Sequence, residues 1–313
     1  MRSCKGRSTK PSSAVPEEDV ARLVLGTAAL GLPYGLPEGG AAAPVLVPEE
    51  AACGLIHAAL AAGIATFDTA PAYGEAEARL GRALAGQGQV WTKVKASVSD
   101  SLDREVACSV EASLERLQRP RVELVSWHNW TPSLAGQRAF RECWSELRRS
   151  PAIGSLGATT YGEDDAATAV ESGLFDVVQV EWNLLRQGVL RRLRHRSRAA
   201  VKIAVRSVWL QGVLTPRSRA LPSFLRALEP SVEEACDRAR AWGFDLEALA
   251  LRAALDQPGV GRVVIGIDSL DQLAVALRAA RAPRLAPDQL EELAVLDRGD
   301  DPLTDPRTWA PRA

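Results

Sequence analysis

Residues 64–74, Ile-Ala-Thr-Phe-Asp-Thr-Ala-Pro-Ala-Tyr-Gly, place a carboxylate and a phenol just beyond a short apolar segment. The first four residues predict a buried strand that ends at Asp68. Tyr73 follows between a proline and a glycine, a sequence typical of a turn. A second short apolar run, residues 90–92, ends at Lys93. If these strands are parallel neighbours, their carboxyl ends meet at one edge, and the three polar side chains face one another there.

The pattern of a short apolar strand followed by a helical segment recurs eight times along the chain. Such alternation implies parallel strands joined by crossover helices. Eight units over about 260 residues match the size of a (β/α)8 TIM barrel, which is the predicted fold. The strands are predicted at residues 23–27, 64–68, 90–93, 122–128, 153–158, 176–181, 201–205 and 263–265. The helices are predicted at about 48–62, 75–85, 103–117, 133–148, 163–173, 188–197, 222–256 with a break near Gly243, and 269–280.

An open doubly wound sheet is the competing fold, and its phosphate-binding signature is absent. Residues 26–31, Gly-Thr-Ala-Ala-Leu-Gly, lack the Gly-x-Gly-x-x-Gly pattern expected after its first strand. In a barrel, all strand carboxyl ends open onto one face, which would carry the functional site. Segments 28–46 and 206–228 are rich in Gly, Pro or Ser. We expect both to be loops that border this face.

Composition excludes several classes of function. The net charge is −1, from 38 basic and 39 acidic residues, so binding to nucleic acid or to an anionic membrane has no electrostatic basis. No apolar run approaches the length of a membrane span. The five cysteines have neither the pairing nor the spacing of a disulfide framework or metal site, which predicts no metal and a cytoplasmic location.

The two ends of the chain differ from the predicted barrel in composition. Residues 1–19 are polar and predict a disordered tail. Residues 20–297 hold the barrel, including one further possible helix at 285–297. Residues 298–313 form a carboxyl-terminal tail rich in Asp, Pro and Arg.

A fourth polar candidate, His128, ends the strand predicted at residues 122–128. Asp68, Tyr73, Lys93 and His128, in this chain order, resemble the catalytic tetrad of the aldo-keto reductase family. The flanking residues also match, and the resemblance extends from about Leu23 to about Leu277. It implies a TIM barrel that reduces a carbonyl with a nicotinamide cofactor.

The resemblance assigns a role to each member of the tetrad. A free phenol has a pKa of about 10, and a nearby ammonium favours its phenolate. Tyr73 is therefore the expected general acid in reduction, tuned by Lys93, which Asp68 positions. His128 is expected to orient the carbonyl.

The same resemblance predicts cofactor-binding residues at several strand ends. Gly26 and Thr27 match a segment beneath the nicotinamide, and Thr159 and Gln179 match residues that bind its carboxamide. Arg206 stands where familiar members have a Tyr that stacks on the nicotinamide, and a guanidinium plane can also stack. The pyrophosphate is expected along Ser207, Trp209 and Gln211.

The loop after the last strand departs from the family pattern. Within residues 266–272, Gly-Ile-Asp-Ser-Leu-Asp-Gln, Asp268 stands in the place of a Lys, and Gln272 stands where an Arg is expected. Those cations bind the adenosine 2′-phosphate, so this stretch, with Gly266 and Ser269, leaves the cofactor open between NADPH and NADH. Arg278 or Arg281 could also reach the phosphate.

The predicted activity is NAD(P)H-dependent reduction of an aldehyde or ketone. The substrate is a small carbonyl compound, and the oligomeric state is left open. The forms Leu-Gly-Thr-Ala and Arg-Ser-x-x-x-Gln-Gly resemble a bacterial branch linked to sugar or secondary metabolism. Two alternatives remain open: a nicotinamide-binding regulatory or assembly subunit, and a non-redox acid–base enzyme on the same barrel. Tyr34, Trp91, Trp127 and Trp130 are expected to line the substrate pocket.

Overall fold

Eight parallel strands close into one barrel in the computed structural model, which describes residues 17–37, 43–96, 101–194 and 201–309. Each strand pairs with its neighbours in sequence, and the last strand pairs with the first, with Leu23 opposite Val263 and Gly26 opposite Gly266. The (β/α)8 prediction is confirmed. The strands are β1 Leu23–Gly26, β2 Thr66–Asp68, β3 Gln89–Val94, β4 Leu124–Trp127, β5 Leu156–Thr159, β6 Val177–Glu181, β7 Lys202–Arg206 and β8 Val260–Gly266.

Helices follow the strands and cover the outside of the barrel. They are α1 Glu17–Ala21, α2 Ala28–Gly31, α3 Glu49–Ala61, α4 Ala76–Leu84, α5 Leu102–Arg116, α6 Arg138–Leu147, α7 Glu163–Ser172, α8 Gly188–Leu193, α9 Glu229–Ala241, α10 Leu246–Asp256, α11 Leu270–Arg281 and α12 Pro287–Glu292. Short 3-10 turns lie at Pro132–Gly136, Leu210–Gly212, Pro216–Ala220, Ser223–Leu228, Leu293–Leu296, Pro302–Thr304 and Pro306–Thr308. No helix within the described ranges is long and apolar enough to cross a membrane.

The structure corrects several predicted boundaries. The segment 28–46, predicted as a loop throughout, begins with the short helix α2. The predicted helical region 222–256 is a 3-10 turn followed by α9 and α10, because Pro230 restarts the helix and Gly243 ends it at a φ of +77°. Residues 17–19, predicted as tail, belong to α1, and residues 1–16 of that tail lie outside the described residues.

Three tryptophans predicted to line the substrate pocket lie in the core instead. Trp91 points into the barrel, where it clusters with apolar residues from five other strands: Val24, Leu124, Val177, Ala204 and Val264. Trp127 packs edge-on against Trp144 of α6, and Trp130 packs edge-on against Phe175. Successive residues of a strand point to opposite faces, so a Trp at the carboxyl end of a strand can face the helices rather than the cavity.

A buried charge cluster closes the amino-terminal face of the barrel. Arg252 of α10 is fully buried and pairs with Asp19 at 2.8 Å and with Asp256 at 2.7 Å. Arg22, just before β1, also pairs with Asp19 and donates to the backbone oxygen of Val260, where β8 begins. A guanidinium without water must keep all these partners, so the cluster fixes α1 and α10 at the face opposite the strand carboxyl ends.

Candidate active site

A lysine and an aspartate form a buried ion pair at the carboxyl ends of β2 and β3. Lys93 Nζ lies 2.6 Å from Asp68 Oδ2 and donates a second hydrogen bond to the backbone oxygen of Thr69 at 2.9 Å. Burial alone would lower the pKa of the Lys93 ammonium, but the charges of Asp68 and Tyr73 outweigh it and raise that pKa above its ordinary value. Lys93 is therefore a cation that faces the cavity beyond the barrel.

Gln179 of β6 completes the environment of the carboxylate from across the barrel. Its Nε2 donates to Asp68 Oδ1 at 2.8 Å, so both carboxylate oxygens have partners. The side chain of Gln179 is buried, and the residue lies behind Asp68 rather than on the cavity wall.

The turn that carries Tyr73 is held by a close approach of two backbone segments. The backbone amide of Glu75 donates to the oxygen of Gly31 at 3.3 Å. A Cβ on Gly31 would lie 1.9 Å from the backbone oxygen of Tyr73, and a Cβ on Gly74 would lie 2.3 Å from the oxygen of Gly31. Only glycine fits at both positions, and the contact sets the height of the phenol above the barrel. As a result Lys93 Nζ lies 4.9 Å from the centre of the Tyr73 ring.

His128 lies beyond β4 and meets the same phenol edge-on. The ring centres of Tyr73 and His128 are 6.2 Å apart, with the planes at 89°. Burial, followed by the charges of Lys93, Arg206 and Lys95, lowers the pKa of His128 to about 3. The imidazole is therefore neutral near pH 7, and it can donate a hydrogen bond without carrying a charge.

Arg206, at the end of β7, is held on the cavity wall by its neighbours. Its guanidinium donates to the backbone oxygen of Thr160 at 2.7 Å and to Ser207 Oγ at 3.1 Å. It also stacks on the Tyr161 ring, with Cζ 4.1 Å from the ring centre. Arg307 of the carboxyl-terminal segment stacks at 3.8 Å from the same ring centre. Tyr161 therefore joins the carboxyl-terminal segment to the cavity wall.

One cavity is lined by all four predicted tetrad residues, Asp68, Tyr73, Lys93 and His128, and by most of the predicted cofactor residues. Loops 28–46 and 206–228 both contribute to its wall, through Tyr34 and Gly35 from the first and several residues from the second. Of the twelve predicted cofactor residues, Gln179 and Ser269 do not line it. Ser269 instead caps α11, where its hydroxyl accepts from the backbone amide of Gln272. The others do line it: Gly26, Thr27, Thr159, Arg206, Ser207, Trp209, Gln211, Gly266, Asp268 and Gln272.

The loop after β7 has an unusual backbone where it borders the cavity. Ser207, Leu210 and Gln211 have φ values of 63°, 45° and 53°, in the left-handed region that residues other than glycine avoid. Gln211 accepts a backbone hydrogen bond from Leu36 at 2.7 Å, which ties this loop to the loop after β1. Such strain persists only where the surroundings impose it, and it concentrates at functional sites.

Among the charged and aromatic residues of the cavity wall, three were not among the predicted site residues: Tyr161, Arg217 and Glu247. Arg217 belongs to the loop predicted to border the mouth, and it pairs with Asp268 at 2.7 Å. Tyr161 directly follows Thr159 and Thr160, so its position just beyond the carboxyl end of β5 could have indicated that it lines the cavity. Glu247 lies in α10, where no strand end marks it, and nothing in its neighbourhood suggested the cavity.

The polar groups of the site fit a nicotinamide. Among the described residues, Gln179 Oε1 is buried and has no hydrogen-bond partner, although the same side chain donates to Asp68. Gln179 does not line the cavity, so the polar group that a nicotinamide carboxamide would meet at the tetrad is Thr159. Thr159, whose hydroxyl accepts from the backbone amide of Asn129 at 2.9 Å, lines the cavity nearby.

Comparisons with known proteins agree with this geometry. A model described as the Aldo/keto reductase family matches residues 22–298. A protein from Mycolicibacterium smegmatis named aldo-keto reductase is 32% identical over 148 residues, which cover 44% of this chain and 51% of that protein. The chain spans about half the length of the curated relatives that it matches.

Two solved structures have the same fold. The holo form of an aldo-keto reductase from Bacillus halodurans superimposes with a TM-score of 0.71 at 20% identity, covering 88% of this chain and 91% of that one. A glycerol dehydrogenase from Gluconobacter oxydans superimposes with a TM-score of 0.67 at 22% identity, covering 88% and 90%. At these identities the likeness supports the barrel alone.

Proposed function

Because this chain belongs to the aldo/keto reductase family, we propose that it reduces an aldehyde or ketone to an alcohol with NADPH or NADH. The observation that carries the proposal is the convergence of Asp68, Tyr73, Lys93 and His128 on one end of the cavity. When bound there, a reduced nicotinamide supplies hydride to the carbonyl carbon.

The protein supplies the proton and the electrostatic support. Tyr73 donates its hydroxyl proton to the carbonyl oxygen and becomes a phenolate. The Lys93 ammonium, held by Asp68 at 2.6 Å, stabilises the phenolate. His128, which is neutral because its pKa is lowered to about 3, donates a hydrogen bond to the carbonyl oxygen and fixes its orientation. In alcohol oxidation, the Tyr73 phenolate takes the proton back.

The remaining cavity residues hold the cofactor in this proposal. Gly26, Thr27 and Thr159 lie beneath and beside the nicotinamide, and Gln179 holds Asp68 from behind the cavity wall. Arg206 presents its guanidinium plane to the ring. The loop after β7 follows the pyrophosphate, through Ser207, Trp209 and Gln211. The loop after β8 meets the adenosine, through Gly266, Asp268 and Gln272, while Ser269 caps the helix behind it.

The test is consumption of NADPH and NADH, followed by absorbance, with a panel of aldehydes, ketones and keto-sugars. We expect wild type to reduce at least one compound and Tyr73→Phe to lose about three orders of magnitude or more of kcat, since general acid–base catalysis contributes about 10²–10⁴-fold. Tyr161→Phe is the matched control. It removes a phenol hydroxyl from the same cavity but keeps the stacked ring, so it should lose far less.

The panel also separates this proposal from its alternatives. A regulatory or assembly subunit would bind a nicotinamide, seen as quenching of tryptophan fluorescence, without turning over any carbonyl. A non-redox acid–base enzyme would change a substrate without consuming cofactor, and it would still depend on Tyr73. Full activity in Tyr73→Phe would remove Tyr73 as the proton donor.

A further inference from the structure

Arg206, at the carboxyl end of β7, brings a positive charge to the cavity wall, because a guanidinium stays protonated in proteins. Its hydrogen bonds go to neutral groups, the backbone oxygen of Thr160 and the hydroxyl of Ser207. The carboxylate that pairs with it, Glu181 Oε2, lies 4.0 Å from Arg206 Nη2. The same buried carboxylate also pairs with Arg186 at 3.6 Å, so two guanidiniums share one negative charge.

Arg206 differs from the other two cations that line the cavity in the described part of the chain. Lys93 and Arg217 each have a carboxylate oxygen within hydrogen-bond distance, at 2.6 Å and 2.7 Å. Arg278 and Arg281, which the sequence suggested for the cofactor phosphate, are exposed on α11 and do not line the cavity. The charge of Arg206 is therefore the least compensated of the three positive charges on the wall.

This charge reaches the place where the carbonyl would react. Arg206 lines the cavity together with Tyr73 and His128. Its charge is one of the causes, after burial and Lys93, that lower the pKa of His128 to about 3. In the proposed function the nicotinamide ring must lie beside Tyr73, because hydride and proton reach the same carbonyl. The ring therefore lies in the electric field of Arg206.

The two redox states of a nicotinamide ring differ in charge. The reduced ring is neutral, and loss of hydride to a carbonyl carbon leaves the oxidised ring with a positive charge. A fixed cation repels the oxidised ring and does not repel the reduced one. The side chains of Arg206 and Glu181 are only 16% and 8% exposed, so water and salt screen this repulsion weakly.

We propose that the fixed charge of Arg206 makes the cavity select the reduced form of its cofactor over the oxidised form, and that Glu181, behind the wall, limits this selection. The proposal rests on the proposed function, since it assumes a nicotinamide in the cavity. Such selection suits a carbonyl reductase, because the form that is consumed binds tightly and the form that is produced leaves easily. By linkage, the bound cofactor couple accepts hydride more readily than the free couple.

The test is calorimetric binding of two pairs, NADPH with NADP⁺ and NADH with NAD⁺, without substrate or turnover. Within each pair the adenosine half is identical, so the ratio of the oxidised to the reduced dissociation constant reports on the ring. Wild type should give a ratio of about ten or more, and a factor of ten corresponds to about 30 mV for this two-electron couple. Arg206→Tyr, which is flat but uncharged, should lower the ratio about tenfold. Arg206→Lys, which is charged but lacks the flat guanidinium, should keep most of it.

The carboxylate behind the wall predicts a change in the opposite direction. Glu181→Gln should raise the ratio about threefold, because the charge of Arg206 is then less compensated. Its amide oxygen can still accept from the backbone amide of Gly162, as the carboxylate does. Arg307→Gln is the matched control, since it removes the other guanidinium that stacks on Tyr161 but does not line the cavity. It should leave the ratio as it is in wild type.

Arg206→Gln, which is shorter and also uncharged, covers the case in which Arg206→Tyr does not fold. An unchanged ratio in the uncharged variants, or a ratio that falls as far in Arg206→Lys as in Arg206→Tyr, overturns the inference and leaves the proposed function intact. An unchanged ratio in Glu181→Gln overturns the part assigned to that carboxylate. Failure of wild type to bind any of the four nucleotides would instead contradict the proposed function.

Discussion

At the scale of single residues, burial and neighbouring charges decide which side chains of the site are charged and which are neutral. Lys93 stays charged because Asp68 lies 2.6 Å away and outweighs the effect of burial. His128 is buried and faces three cations, Lys93, Arg206 and Lys95, so its neutral form is favoured. The cavity therefore holds a permanent cation and a neutral hydrogen-bond donor beside Tyr73, which suits the proton donation that we propose for this phenol.

The lowered pKa of His128 predicts how stability depends on pH. The unfolded chain protonates its histidines near pH 6.5, while folded His128 resists protonation until about pH 3. Below pH 6.5 the unfolded state therefore binds more protons than the folded state. The contribution of His128 to the free energy of unfolding is fully present above that pH and is lost as the pH falls. His128 should contribute a loss of up to about 2 kcal/mol in the free energy of unfolding between pH 7 and pH 5.

Urea unfolding at the two pH values, for wild type and His128→Gln, checks this expectation. Between pH 7 and pH 5, His128→Gln should lose less free energy of unfolding than wild type, and the difference is the contribution of His128. His57→Gln, which replaces an exposed histidine of α3, is the control and should behave as wild type does. An equal pH dependence in wild type and His128→Gln would show that folded His128 titrates normally.

At the scale of elements, backbone contacts rather than side chains set the position of Tyr73, the proposed proton donor. Helix α2 ends at Gly31 against the turn that carries Tyr73, and Thr27, just before α2, donates its backbone amide to the oxygen of Asp68 at 2.9 Å. The two segments that hold the Tyr73 phenol and the Asp68 carboxylate are thus joined to the end of β1. This joint is also where the sequence analysis predicted a loop without structure.

Gly31→Ala should damage activity more than stability. The added Cβ would lie 1.9 Å from the backbone oxygen of Tyr73 and 2.5 Å from the amide of Ala76, so the turn must move. We expect kcat/KM to fall at least tenfold, because small displacements at a reacting centre are costly, and the free energy of unfolding to fall by about 1–3 kcal/mol. Steady-state kinetics and urea unfolding measure the two effects.

Gly54→Ala serves as the control for a glycine without close neighbours. It lies inside α3 with open space around it, and Ala favours a helix over Gly by up to about 1 kcal/mol. This variant should be slightly more stable than wild type and equally active. Retention of wild-type kcat/KM in Gly31→Ala would show that the Gly31 contact does not position Tyr73.

The sequence predicted regular, strongly patterned elements well and failed where tertiary contacts decide. All eight strands appeared as short apolar runs, because strands of a barrel are buried on both faces. Strand β8 is longer than predicted, since Gly261 and Arg262 interrupt its apolar run while the backbone still pairs with β1 and β7. Helix α2 was missed because its four residues, Ala28–Gly31, are too few to show a helical period, and only its contact with the Tyr73 turn reveals its role.

In the site too, residues at strand ends could be predicted, whereas residues placed by tertiary contacts could not. That the four tetrad candidates line one cavity could be predicted because each ends a strand or follows one closely, and parallel strands bring their ends together. Arg217 could not, because its place depends on how a long loop folds back to Asp268, some fifty residues further along the chain. The prediction for Trp91 was wrong because this side chain points into the barrel interior. Trp91 comes two residues before Lys93 on β3, so it lies deeper in the barrel than Lys93 and does not meet a substrate.

At the scale of the whole molecule, the two ends of the chain serve opposite faces of the barrel. Near the amino end, Asp19 and Arg22 join the buried cluster around Arg252 on the face away from the cavity. The carboxyl-terminal segment crosses to the functional face, where Arg186 donates to Thr304 Oγ1 at 3.3 Å and Trp309 packs edge-on against Phe224.

The carboxyl-terminal segment should therefore affect substrate binding more than the chemical step. Arg307, paired with Asp305, stacks on the Tyr161 ring, as Arg206 also does, and Tyr161 and Arg206 line the cavity. Loss of a cation–π contact is worth about 0.5–2 kcal/mol, or roughly 2- to 30-fold. Arg307→Leu should raise KM for the carbonyl substrate within this range and change kcat less, because Arg307 does not reach the tetrad.

Arg226→Leu, at an exposed arginine of the turn before α9, is the control for removing a surface charge, and its KM should match that of wild type. Arg307→Lys should fall between wild type and Arg307→Leu, since a lysine keeps the cation but loses the flat guanidinium that stacks on the ring. A chain that ends after Asp301 should reproduce Arg307→Leu in KM, because the barrel and its charge cluster close without residues 302–313. A fall in kcat in Arg307→Leu at constant KM would contradict this prediction. It would show that the stack on Tyr161 supports the tetrad through Arg206, so that the carboxyl-terminal segment affects the chemical step.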